Sequence, residues 1–78
     1  MTPYATRFIT GEAIEISCEG RTVEGVVIFA SPNGLALMIG FEALLGGHVG
    51  MMPVTMLDAS NGYSIIDRTA VTIRKREP

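Results

Sequence analysis

Residues 13–40 read AIEISCEGRTVEGVVIFASPNGLALMIG. The opening residues alternate: Ile14, Ile16 and Cys18 point one way, and Glu15, Ser17 and Glu19 the other. That is the period of a half-buried β-strand. Residues 19–21, EGR, form a tight turn, with Gly20 free to take a positive φ. TVEGVVIFA (22–30) reads as a second strand in which Val23, Gly25, Val27 and Phe29 share one face. Gly25 inside that strand marks a bend or bulge in a curved sheet. SPNG (31–34) turns the chain again: Pro32 presets an early turn position, and Asn33-Gly34 tolerates left-handed backbone. LALMI (35–39) resumes as strand, with Leu35, Leu37 and Ile39 on one side.

The same punctuation continues outward. Residues 41–47, FEALLGG, are too short for a secure helix and too glycine-flanked for a long strand, and read as an irregular connection or one helical turn. HVGMMPVTML (48–57) returns to strand, where Pro53 indicates an edge, a bulge or a strand start. DASNG (58–62) is a turn, with Asn61-Gly62 suited to a hairpin. YSIIDR (63–68) and AVTIRK (70–75) are the last strands, and RKREP reads as a solvated tail. No helical pattern is long enough for a crossover, which disfavours a βαβ arrangement. The expectation is an all-β fold: a small antiparallel β-barrel of five to six short strands, which protects its edges by curling. Its expected limits are an N-terminal segment at 1–11, the barrel at 12–74 and a C-terminal tail at 75–78.

The chain has 78 residues, of which 47 % are hydrophobic and 18 % charged, a composition of a folded domain. A net charge of −2 weakens any case for bulk attraction to DNA or an anionic membrane. The single cysteine, Cys18, excludes an intrachain disulfide framework and makes reducing cytoplasm the expected setting. No apolar run reaches transmembrane length, and MTPYATRFITG lacks the basic leader and apolar stretch of a secretory signal. Direct membrane insertion is therefore not expected.

Catalysis needs a positioned base, nucleophile or metal. His48 and Cys18 lie thirty residues apart and make a poor pair in sequence; Cys18 reads as a small core hydrophobe and His48 as a strand-start surface residue. No CxxC, HxxxH or carboxylate cluster suggests a metal, and no GxGxxG or GxxxxGK[ST] suggests a phosphate loop. The expectation is no enzyme, no metal and no required cofactor. The methionines read as core and rim, except in GMMPV. There, adjacent apolar residues face opposite sides of a strand, so Met51, Met52, Pro53 and Val54 are candidates for a protein contact. The basic run Arg74, Lys75 and Arg76, with few aromatics nearby, keeps an RNA-binding small barrel as a third reading.

The central segment resembles a PilZ domain. The resemblance is carried by strand, turn, strand and then an Asp/Asn-x-Ser-x-x-Gly turn: here Phe29-Ala30-Ser31-Pro32-Asn33-Gly34, in which Ser31 and Gly34 match. GGHVGMMPVTML resembles the later glycine turn and strand, so the likeness runs over residues 7 to 74. It implies a bacterial, non-catalytic signalling barrel with cyclic di-GMP as its possible ligand. Two departures stand out. Phe29 takes the acidic or amide position, and Arg7 can match only one of the family's two arginines, with Gly11 or Pro3 where the companion belongs. Arginine forks give a phosphate or guanine edge its bidentate partner, so losing one weakens such a site. The ligand set implied is Arg7, Arg21, Ser31, Asn33 and Gly34. The functional expectation is a regulatory or adaptor module acting through protein contacts, with cyclic di-GMP binding weakened or lost. The alternative is a cyclic di-GMP receptor with atypical ligand residues.

Overall fold

The computed structural model describes residues 8–76. They form six strands: β1 (Ala13–Cys18), β2 (Arg21–Ala30), β3 (Ala36–Leu45), β4 (His48–Met56), β5 (Asn61–Ser64) and β6 (Ala70–Lys75). Each strand pairs antiparallel with the next, and β6 pairs antiparallel with β1, so the sheet closes as an up-and-down barrel. Closure removes the sheet edges that a small β-domain would otherwise expose. No helix among the described residues is long and apolar enough to cross a membrane.

The interior follows from alternation. Ile14, Ile16 and Cys18 of β1 are buried, as their parity requires, and meet Leu37, Ile39 and Phe41 of β3. Met52, Val54 and Met56 of β4, with Val71 and Ile73 of β6, complete the ring. Phe8, within the segment expected to precede the barrel, is buried in the same core. The β1–β2 turn places two consecutive residues at positive φ, Glu19 at 51° and Gly20 at 81°. Such a turn matches the right-handed twist of the flanking strands.

Several sequence expectations are corrected. Phe29 does not share the inner face with Val27: the register passes from Val27↔Ile39 to Phe29↔Met38, leaving Ile28 as an extra residue. One inserted residue inverts every side chain beyond it, so Val27 is inside and Phe29 is 57 % exposed. The bulge therefore lies beyond Gly25, whose role is a close approach between strands. A Cβ at Gly25 would collide with the Gly40 carbonyl oxygen and come within 2.7 Å of Ile16 Cδ1.

Residues 41–47 are neither a helical turn nor an irregular connection. Residues 41–45 belong to β3, with Phe41 and Leu45 inward and Glu42 and Leu44 outward. The pairing moves from Gly40↔Met51 to Leu44↔Val49, so three β3 residues oppose the single Gly50, and Gly46-Gly47 makes the hairpin turn. Asn61-Gly62 is not the turn of its hairpin but the start of β5; residues 57–60 turn instead. Asp58 Oδ1 accepts from Ser60 N and Asn61 N at 2.9 and 2.8 Å. YSIIDR is strand only as far as Ser64, and Ile65, Ile66 and Asp67 form the next turn. Pro53, expected at an edge, a bulge or a strand start, lies instead inside β4, opposite Met38 of β3. Its carbonyl accepts from Ile65 N, so its nitrogen faces the same side, where the β4–β5 ladder begins only at Val54.

Candidate functional site

The SPNG turn is closed upon itself. Ser31 N donates to Ala36 O, and Ala36 N donates back to Ser31 Oγ at 3.0 Å. The Ser31 hydroxyl donates to Asn33 Oδ1 at 2.6 Å, and the same oxygen accepts from Leu35 N at 2.9 Å. Gly34 takes φ 74° while its N–H bonds Ser31 O. The polar groups that could meet a ligand are thus engaged in holding the loop. Asn33→Ala removes the shared acceptor and should cost about 1–3 kcal/mol by urea unfolding, from two side-chain bonds worth roughly 0.5–1.5 kcal/mol each. No loss would mean that the loop holds its shape without them.

Arg21 starts β2 and Ser31 follows its last residue. Ten residues of strand separate them by about 30 Å, so Arg21 stands at the opposite end of the barrel from Ser31, Asn33 and Gly34. Its Nη1 donates to Leu44 O at 2.9 Å, which bridges β2 and β3 beyond the point where their ladder ends. Arg7, the remaining member of the implied ligand set, lies outside the described residues.

The basic run does not form a free positive patch. Lys75 Nζ lies 3.3 Å from Glu12, Arg76 Nη1 3.4 Å from Glu24, and Arg74 Nη2 4.0 Å from Glu15. Such exposed pairs add little stability, but they balance the local field along β1, β2 and β6. Lys75 also sits 5.8 Å above the ring of buried Phe8. Arg74 and Lys75 are strand residues rather than tail.

Cys18 and His48, far apart in sequence, reach the same end of the barrel through Gly46, Asp67 and Thr69. His48 Nε2 is 3.1 Å from Asp67 Oδ2, while Asp67 Oδ1 accepts from Thr69 N and from its hydroxyl at 3.1 and 2.7 Å. A Cβ at Gly46 would lie 2.7 Å from Thr69 Cγ2 and 3.1 Å from Cys18 Sγ. Sequence reasoning missed this cluster, because only the strand register brings its members together. Burial first, then Glu19 and Asp67, pushes the Cys18 thiol up, away from the thiolate that a nucleophile needs. Among the described residues no group of three His, Cys, Asp or Glu is placed to hold a metal.

The Asp67 carboxyl is held well below its ordinary 3.8, first by the Thr69 hydroxyl, then by the Thr69 N–H and then by His48. A value depressed by folding means that the ionised group stabilises the fold above its unfolded titration. That contribution is withdrawn as pH falls below about 4 toward its low folded value. The thermal midpoint of the native chain should therefore fall further between about pH 5 and pH 2 than that of Asp67→Asn. Equal falls would remove the contribution assigned to Asp67.

Two surfaces remain. A shallow groove of about 730 Å³ opens where β2 and β3 part, lined by Val23, Gly25 and Phe41 with Glu24 and Glu42. Its two carboxylates give it the wrong sign for a phosphodiester. The other surface, the outer face of β2–β3–β4, adjoins the groove, which Val26, Gly40 and Gly50 also line. The Met51–Val54 candidates divide by parity across the strand: Met51 is 52 % exposed, whereas Met52 and Val54 are fully buried. Met51 joins Val26, Ile28, Phe29, Leu44 and Val49, all exposed large apolar side chains on these three strands. The sequence hid this face because it is assembled from three strands and depends on the β2 bulge turning Phe29 outward.

Comparison with known proteins brings no relative: no family model matches the chain, no curated protein matches it and no solved structure matches it. The PilZ resemblance accordingly rests on layout and on Ser31 and Gly34 alone. The architecture itself is a small closed six-stranded antiparallel barrel.

Proposed function

We propose that this barrel is a non-catalytic regulatory or adaptor module that acts through protein contacts, with the outer face of β2–β3–β4 as its contact surface. The observation that carries the reading is the continuity of that face. Val26, Gly40 and Met51 form one cross-strand row, and Phe29, Met38 and Pro53 form the next. Large exposed apolar surfaces of this kind are interaction sites more often than solvent faces, and methionine suits them because its side chain adapts.

Cyclic di-GMP binding has less support. Ser31 and Asn33 are engaged within their own loop, and Arg21 stands a strand's length away. RNA binding has less support still, since Arg74, Lys75 and Arg76 each face a glutamate. Isothermal titration of the purified chain with cyclic di-GMP, at low and physiological salt, tests the choice. The expected result is no saturable heat. Saturable binding at micromolar or lower concentration, lost in Arg7→Ala, would overturn the protein-contact reading in favour of a nucleotide receptor.

A further inference from the structure

The wall of the barrel is split at one corner. The β2–β3 ladder ends at Gly25↔Phe41. Beyond it, residues 21–24 of β2 pair only with β1, and Leu44 and Leu45 of β3 pair only with β4. Val27 N donates to Glu12 O, so the main chain of Val27 faces the β1 side. The β1–β2 register runs unbroken from Val26 to Arg21, so alternation turns the N–H and C=O of Thr22 and Glu24 toward β3. Thr22, past the end of the ladder, meets no strand there. From the other bank the Leu44 carbonyl faces the split, because it accepts from Arg21 Nη1 at 2.9 Å. An arginine side chain thus meets a carbonyl that a ladder partner would otherwise take, and it closes one end of the opening.

The groove of about 730 Å³ lies at this opening. Each bank carries one carboxylate, Glu24 on β2 and Glu42 on β3, and no basic side chain lines it. Glu24 meets Arg76 at 3.4 Å across an exposed contact, while Glu42 has no ion-pair partner among the described residues. Two properties of an occupant follow. Unpaired main-chain groups at a sheet edge are a template for a further strand, so the occupant is extended. The carboxylates repel a nucleic acid or an anionic bilayer and favour positive charge, so the occupant is basic.

Resting on the protein-contact reading, we propose that the split is a strand-addition site: an extended, lysine- or arginine-bearing segment of a partner protein lies between β2 and β3. Its main chain bonds the free groups of Thr22 and takes the Leu44 carbonyl over from Arg21. Successive side chains of a strand point to opposite faces. Those of the segment that point out of the barrel lie beside Glu24 and Glu42, which also point outward, and these carry the positive charges. Those that point in meet Val23 and Phe41 and are apolar. Main-chain bonds supply the affinity and the charges the selection. A short edge and exposed charges make the contact weak and salt-sensitive.

NMR titration of the isotope-labelled full chain tests this. The probe is a short capped peptide of alternating lysine and valine, added to about 1 mM. The expected result is saturable amide shifts centred on residues 22–25 and 42–44, smaller at physiological than at low salt. A peptide of alternating glutamate and valine should give none. Neither should the lysine peptide N-methylated along its main chain, which keeps the charge and loses the ladder. Glu42→Lys, at an exposed position, should weaken binding about three- to tenfold. Arg21→Gln should strengthen it, because the Leu44 carbonyl is freed. No shifts from the lysine peptide would overturn the proposal. Equal binding of the glutamate peptide or of the N-methylated one would overturn it too, and so would weaker binding by Arg21→Gln. A photo-crosslinking residue at position 51, used in cells, separates this failure from failure of the underlying reading. With the titration negative, an adduct with another protein overturns only the added strand, and no adduct overturns the protein contact as well.

Discussion

Gly25→Ala is expected to lower the thermal midpoint of the barrel by roughly 10–20 °C. The position looks undemanding in sequence, a glycine among valines, where alanine would normally improve a strand. In the barrel it is a point where β2 passes close to the Gly40 backbone of β3 and to the Ile16 side chain of β1. A methyl group there meets the carbonyl oxygen of Gly40 and, at 2.7 Å, the Cδ1 of Ile16. The isoleucine tip can rotate away, but the carbonyl belongs to the neighbouring strand and moves only if the β2–β3 ladder moves. Overpacking of this kind costs about 1–3 kcal/mol, and in a domain of this size each kcal/mol shifts the midpoint by about 4–8 °C. Val26→Ala, one residue away and outward-facing, should move the midpoint by a few degrees at most. A Gly25→Ala barrel as stable as the native one would mean that the two strands do not approach as closely as the register requires.

Met51 and Met52 should respond very unequally to the same change. Met52 is fully buried and Met51 is 52 % exposed, although the two are adjacent and chemically identical. Truncating a buried methionine to alanine costs about 2–5 kcal/mol, from lost transfer energy and the cavity left behind. The whole barrel is worth only about 4–12 kcal/mol at 0.05–0.15 kcal/mol per residue. Met52→Ala should therefore remove a large share of the stability, enough to leave the chain partly unfolded at 37 °C. Met51→Ala should stay within about 0.5 kcal/mol, as most surface changes do. Urea unfolding followed by circular dichroism measures both. The reverse order would place β4 one residue out of register.

The parts of this fold that were legible in the sequence are those in which polarity and parity agree. In β1 every second residue is apolar and the intervening ones are polar, so Ile14, Ile16 and Cys18 could be assigned inward without ambiguity. In β2 the run from Val26 to Ala30 is apolar on both faces, so nothing in composition locates the bulge at Ile28, and Phe29 is assigned to the wrong side. The same degeneracy affects residues 41–45: Leu44 is apolar but outward, which blurs an alternation that Phe41, Glu42 and Leu45 obey. Asn61-Gly62 shows the limit of turn propensity. The pair is a strong hairpin signal, yet Asp58 captures the preceding turn, and Gly62 is needed in β5 because a Cβ there would lie 2.6 Å from Thr55 O.

For the candidate site, the turn chemistry of Ser31, Asn33 and Gly34 was legible because it is local. The separation of Arg21 from that turn follows from nothing more than the length of β2. The apolar face and the His48–Asp67 contact depend on register across non-adjacent segments, which residue types do not encode.

The way the ring is completed has a consequence for how the molecule forms and opens. Strands β1 to β4 follow one another through short turns, and each ladder can zip from its own hairpin. The β1–β6 ladder instead joins residue 14 to residue 75 and residue 17 to residue 72. Bringing such distant points together costs roughly 3.5 kcal/mol of chain entropy, growing only with the logarithm of the intervening length. The four-residue β5 that leads into it holds only three paired positions on either side. The chain should therefore assemble as a curled ribbon first and become a ring last. Reversed, the same order makes this seam the first line to part, and the pair it uncovers is Ile16 and Ile73, which face each other across it.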